Sequence, residues 1–473
     1  MNRAILFMLL AGAASLGVDA SVNDNVKDLV RDGKFLMARE AMGKSHEISA
    51  VEKDSLVAIM QRIRADFNLT FDDGVKAIQT KFPHATLENI NDWVGKRYIE
   101  VKEIDGKRYM FRKTVSNLDR LVPELSAARK SEQIKNDSEY MAYAIDAMSV
   151  SDNGAATDKH RVTIKFSITV KPDVVPEGKV LRVWCPFPVE NTRQSNAKLI
   201  SANCKKLEFS EGKSLHNTVY MEQKAKKGIA TVFEYEFSYD VASQYFSPEY
   251  IRANKKPYDI SSDLYKRYTS TELPQIVVTE KTKELAKKIV GNATDPLEQA
   301  SLIYDWIDAY FPWAGAREYS TIENLAQYVL DNGHGDCGQV SLLYITLLRS
   351  LGIPAKWESG WMLHPGKVGM HDWAEVYYEG VGWVPVDMSF GLLEVSEDES
   401  VRNFYKTGID MYRFASNEGV GCQLFPKKKY VRSETVDFQL GEVEYDGGNL
   451  FYYKDWTPKF ELISIEKINN SDE

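Results

Sequence analysis

Long apolar runs, blocks of one charge and internal repeats are missing from this chain of 473 residues. Beyond the first 20 residues nothing approaches the about 20 apolar residues that a membrane span requires, so no later span is expected. The formal charge of −9 comes from 59 Lys and Arg against 68 Asp and Glu, spread without a long block of one sign. No nucleic-acid footprint is therefore expected, and the mild acidity gives a slight preference for basic or neutral partners. Low-complexity tracts are also missing. A chain of this length divides into roughly two to four domains.

What is present at the start changes the expected address. Arg3 precedes the apolar run Ala4 to Leu10, small residues follow, and Val18-Asp19-Ala20 stands ahead of Ser21. This pattern reads as a secretory signal, residues 1–20, cleaved after Ala20, and implies a secreted or periplasmic protein. No cysteine follows the apolar run, so a lipid anchor is not indicated. The chain carries four cysteines, Cys185, Cys204, Cys337 and Cys422. In an oxidising compartment an even count invites pairing, and Cys185 with Cys204 closes the shortest loop. A catalytic thiol at Cys337 would leave room for at most one bridge.

The expected fold class is α+β and multidomain. Residues 21–150 show apolar residues at helical spacing, as in Val51 to Phe67 and Leu87 to Val94, and form a mainly helical region. Ile104-Asp105-Gly106-Lys107 interrupts it as a hairpin turn between alternating runs. Ser151 to Asp158 reads as a linker. Residues 159–260 hold short alternating strands and suggest an antiparallel β-sandwich. Residues 261–473 then carry helices, a strand hairpin and a C-terminal β extension. Asp295-Pro296 predicts a capped helix start, and Ser320-Thr321-Ile322-Glu323 has capping-box spacing.

The chemistry concentrates in Cys337, His371 and Asp387, spaced 34 and 16 residues apart. Val340, Leu343, Tyr344, Leu347, Leu348 and Leu351 form a helical apolar stripe ended by Gly352 and Pro354, with Asp336 as N-cap. Cys337 then lies in the first turn, where free backbone N–H groups and the helix dipole favour a thiolate and lower its pKa. The same N–H groups could hold an oxyanion. In the strand begun by His371, residues 371, 373, 375 and 377 share one face, while Asp372, Ala374, Val376 and Tyr378 share the other. Glu379 to Gly382 turns the chain. His371 and Asp387 share a face only if the connecting loop is odd in length, and then Asp387 lies diagonally within side-chain reach.

The segments Gly335-Asp336-Cys337, Leu348 to Ala355, His371-Asp372-Trp373-Ala374-Glu375-Val376 and Gly382 to Asp387 resemble the core of the transglutaminase-like superfamily of papain-type cysteine enzymes. The likeness covers roughly Asp295 to Gly391. It implies Cys337 as nucleophile, His371 as general base and acid, Asp387 as its orienter, and neither metal nor cofactor. A preceding sandwich is similar to the layout of secreted bacterial members. The resemblance also implies a side-chain oxyanion donor upstream of the cysteine. Trp313 and Tyr310 are candidates, since an indole or phenol can donate, while Gln339 points away from Cys337 on a helix.

The expected activity is acyl transfer through a thioester, on peptide or isopeptide bonds of a peptide, protein or cell-wall substrate. Hydrolysis is slightly favoured over amine transfer because water is always present. A second reading is a binding or scaffold module that keeps the fold without turnover. A third is a metal site from His334, Cys337, His364 and His371, disfavoured because a metal would consume the thiolate and His364 has no readable partner.

Overall fold

The computed structural model describes residues 22–452 and 454–468, so the expected signal at residues 1–20 lies outside the described residues. Among the described residues, no helix is long and apolar enough to cross a membrane. The fold is α+β throughout, with helices and several antiparallel sheets.

Residues 22–150 form helices around a small three-stranded sheet. Its hairpin joins Val101–Ile104 to Lys107–Met110, with Asp105 and Gly106 both at positive φ in the turn. That backbone conformation is the reason for glycine there. Two apolar clusters hold this region together, one around Phe35, Met60 and Phe111 and one around Ile78, Ile90 and Leu118. A short helix, α1 (Thr114–Leu121), runs from this region toward the C-terminal half.

The sandwich has one sheet of five strands and one of four. His160–Val170 pairs with Thr231–Val241 on one side and with Trp456–Lys467 on the other. Val180–Pro186 pairs with Thr218–Lys224 and with Glu442–Tyr445. The C-terminal strands, expected as an extension of the core, instead complete both sheets of the sandwich. A strand's period-2 pattern marks a buried face but not its partner, so the sequence could not place them.

The remaining element set is a helical layer against a four-stranded sheet. Helix α2 (Cys337–Ser350) is buried from Gly338 to its end. The strands are β1 (Ala355–Met362), β2 (Gly369–Tyr378), β3 (Gly382–Val386) and β4 (Arg413–Asn417), in spatial order β3-β2-β1-β4. Ala374, Val376, Val384 and Val386 on one face of the sheet pack with Leu343, Leu347 and Leu348 of α2. Full burial of each such leucine contributes about 2 kcal/mol. Gly352, at φ +77°, ends the turn after α2 as the apolar stripe predicted. Farther along the same face of the sheet, Trp361 of β1 reaches the sandwich, stacking on Phe414 at 4.4 Å and on Phe166 at 5.3 Å.

Helix Pro296–Tyr310 starts where Asp295-Pro296 predicted, with the Asp295 side chain accepting from Leu297 N–H. The capping-box spacing at Ser320 is not used. A 3-10 turn occupies Tyr319–Thr321, and the helix starts at Leu325 with Asn324 as its cap.

Candidate active site

Asp336 is the N-cap of α2: its carboxylate accepts from Gln339 N–H, and Gln339 Oε1 accepts in return from Asp336 N–H at 3.2 Å. Gln339 thus serves the cap rather than the thiol. Tyr319 donates its hydroxyl hydrogen to Asp336 as well. Cys337 is the first helical residue and is half-buried.

Its hydrogen bond runs to Asp372, with Sγ 3.3 Å from Oδ2. Gln439 Nε2 donates to the other oxygen of the same carboxyl at 2.7 Å and to the His371 carbonyl at 2.8 Å, which fixes the Asp372 side chain. Gly338 makes the approach feasible, since a Cβ there would stand 2.8 Å from Asp372 Oδ2.

His371 is the strand neighbour of Asp372, so the two side chains leave alternate faces. The hairpin register pairs Tyr377 with Trp383 and Ala374 with Val386. That register places His371 and Asp387 on one face, as an odd loop requires. His371 Nε2 lies 2.8 Å from Asp387 Oδ2, and the carboxylate is wholly buried. Among the described residues Nδ1 has no protein partner. Cys337 and His371 make no direct hydrogen bond here; each is held by a different aspartate.

Arg413 of β4 grips Asp387 Oδ2 through Nε at 3.2 Å and Nη2 at 3.0 Å, and reaches Asp410 through Nη1 at 3.0 Å. Asp410 in turn holds His364 Nε2 at 3.1 Å. Two buried His–Asp pairs therefore share one guanidinium. Burial alone would push Asp387 up, but the His371 and Arg413 charges outweigh it and hold the carboxyl below its ordinary range. His364 does have a partner, in a segment no motif marks.

The helix-start argument predicts a lowered thiol pKa, and the structure reverses it. Burial first, then the carboxyls of Asp372 and Asp336, push the Cys337 thiol well above its ordinary range. Burial and Asp336 likewise push Asp372 up. Two carboxyl groups at the first turn outweigh the about half-charge of a helix terminus. One signal was legible: Asp372 shares its strand face with Ala374, Val376 and Tyr378, the apolar face that must meet α2.

The remaining candidates divide. Trp313 is 37% exposed and carries the Arg120 guanidinium over its ring at 4.1 Å, while Tyr310 is 36% exposed and lies against Trp306. Neither is aimed at Cys337 by any hydrogen bond. His334, proposed as a metal ligand, faces the Arg97 carbonyl at 3.1 Å, so His334, Cys337, His364 and His371 each have separate partners and do not converge. All four cysteines are free thiols. Cys185 and Cys204 form no bridge; Cys204 instead accepts from Gln223 Nε2 at 3.1 Å.

Residues 283–388, which include Cys337, His371 and Asp387, match the family model of the transglutaminase-like superfamily. This stretch is a transglutaminase-like core. Arg413 and Gln439 lie outside the matched stretch. An uncharacterised protein of Haemophilus influenzae is 26% identical over 227 residues, 40% of this chain and 60% of that relative's length. A solved structure of a candidate cysteine protease from Cytophaga hutchinsonii aligns at 14% identity with a TM-score of 0.42, covering 65% of this chain and 92% of that one. The periplasmic domain of TgpA from Pseudomonas aeruginosa aligns at 12% identity with a TM-score of 0.25, over 53% of this chain and 91% of that one. At the general level, a transglutaminase-like core is that of a cysteine-type enzyme.

Proposed function

We propose that this protein is an exported cysteine-dependent acyl-transfer enzyme acting on peptide or isopeptide bonds, with Cys337 as nucleophile, His371 as base and acid, and Asp387 as orienter. The observation that carries the reading is the buried His371–Asp387 pair at 2.8 Å, on the strand whose next residue touches the Cys337 thiol. With Nε2 engaged by Asp387, Nδ1 is the nitrogen left for the thiol. Such contacts are often long in ligand-free enzymes and tighten with substrate.

In this reading Sγ attacks the carbonyl carbon while its proton passes to Nδ1 of His371. The first-turn N–H groups of α2 receive the oxyanion. The C–N bond then breaks, the imidazolium proton goes to the leaving nitrogen, and a thioester remains. Water, activated by His371, releases the acid and restores the thiol; an amine in its place gives transfer. Hydrolysis is favoured because water is always present, whereas an amine has to be bound.

The decisive experiment incubates the protein with a glutamine-containing peptide and a labelled amine. Ammonia or cleavage products without label mean hydrolysis, and incorporated label means transfer. C337A should abolish both, and turnover surviving in C337A would sink the reading.

A second reading, a binding module without turnover, draws support from one observation: Asp372 engages the thiol and its charge opposes ionisation. The pH dependence of alkylation separates the two. Reactivity persisting well below pH 8 supports catalysis, and an inert thiol supports binding.

A further inference from the structure

The helical region before the sandwich presses α1 against residues 313–315, which run beside the segment leading to Cys337. Trp313 and Gly335 form a parallel bridge, and Ala314 N–H donates to the Gly335 carbonyl at 2.9 Å. Two residues beyond that bridge, on each chain, come Gly315 and Cys337. Asn117 of α1 clamps Gly315 from both sides, donating to its carbonyl at 3.0 Å and accepting from its N–H at 2.9 Å. Lys113, Asn117 and Arg120 are spaced i, i+4 and i+7, so they share one helix face. The Lys113 side chain crosses Gly315, where an added Cβ would meet Cδ at 2.8 Å and Nζ at 3.3 Å. Arg120 lies over Trp313.

Lys113 is held at a physical disadvantage. It is half-buried, and burial pushes its amine down. It occupies the N-cap of α1 without a side-chain cap bond, at the helix end where a cation is unfavourable. Among the described residues neither its Nζ nor the Arg120 guanidinium has an ion-pair or hydrogen-bond partner. The like charge of Arg112 opposes its protonation, while the Asp336 and Asp66 carboxyls favour it. A half-buried cation with no hydrogen-bonded or ion-paired carboxylate, two residues across from Cys337, is a place where an anion from outside would complete the pairing.

We propose that Lys113, with Arg120 behind it, binds a carboxylate of the acyl donor, so that the helical region selects anionic peptides for Cys337. The selected group is a carboxylate close to the attacked carbonyl, from an acidic side chain or a free chain terminus. This rests on Cys337 being the nucleophile. It also reverses locally the preference for basic or neutral partners that net charge alone suggests.

The test uses two reagents of nearly equal size, iodoacetate and iodoacetamide, on the full chain, with rates at Cys337 followed by peptide mass spectrometry. Lys113 supplies positive charge on the approach to the thiol, which favours the anionic reagent. The iodoacetate-to-iodoacetamide rate ratio should therefore fall on the order of tenfold in K113M, stay near wild type in K113R, and converge as salt rises. K113Q is the second uncharged variant should K113M fail to fold. An unchanged ratio in the uncharged variant overturns the proposal. So does a Cys337 that neither reagent reaches, because a cleft closed to a two-carbon reagent is closed to a peptide carboxylate. With substrate, K113M should raise KM for a peptide with glutamate, or with a free terminus, but not for its glutamine or amidated counterpart; the two pairs tell the carboxylate sources apart. Lack of turnover on every peptide would sink the enzymatic reading, while the alkylation ratio would still decide on Lys113.

Discussion

Replacing Asp372 by Asn should make the Cys337 thiol easier to ionise. The carboxyl oxygen lies 3.3 Å from the sulfur, and two like charges at that distance repel by about 5 kcal/mol at an effective dielectric of about 20. One pKa unit is about 1.4 kcal/mol, so the ceiling is roughly three to four units. The full amount is not expected, since burial and Asp336 push the Asp372 carboxyl itself up and it shares its proton with the thiol. A drop of about one to two units is the expected outcome. Asn keeps an oxygen for Gln439 and turns an N–H toward the sulfur, so geometry is preserved while the sign of the contact changes. The assay is the rate of iodoacetamide alkylation at Cys337 across pH 6 to 10. An unmoved or raised midpoint would refute the claim that Asp372 restrains the thiol. Stability gives an independent check. A carboxyl whose folded pKa is raised costs stability as pH rises from its unfolded value through its folded one. The melting advantage of D372N over wild type should therefore grow with pH.

Arg413→Met would leave Asp387 and Asp410 buried without their shared cation. Chemical denaturation should show a loss of about 3–5 kcal/mol, and a neutral result would mean the network relaxes. Gly338→Ala would push the Asp372 carboxyl and Tyr319 aside; a thermal melt should fall and the alkylation profile should shift, whereas a variant identical in both would remove the case for glycine at 338. Leu347→Ala, in the buried stripe of α2, should cost about 2–5 kcal/mol by cavity formation, measured by urea titration.

The parts of the site carried by short-range pattern were legible in the chain. Asp336 capping, Cys337 at the helix start and the same-face relation of His371 and Asp387 follow from periods of 3.6 and 2, together with one turn. Less legible was what distant segments bring. Arg413 and Gln439 reach His371 and its neighbours from strand and loop segments with no motif, and their contacts depend on how β4 and the following chain cross the sheet. The thiol's electrostatics failed for a related reason. A dipole argument sees one helix, whereas the sulfur feels Asp372 from a strand 35 residues away. The start at Leu325 instead of Ser320 shows two capping signals competing, with Asn324 the one used.

The pairing of Trp456–Lys467 with His160–Val170 has a consequence for assembly. The transglutaminase-like core is spliced into the sandwich, so α2 emerges from the ribosome long before the sandwich sheet that holds His160–Val170 can close. Until the last strand arrives, His160–Val170 presents an open edge, a template for pairing with other chains. Such long-range closure is slow and exposed to aggregation. A chain interrupted before Trp456 would carry the complete α2 and its sheet, yet its expected fate is self-association rather than a partly working protein.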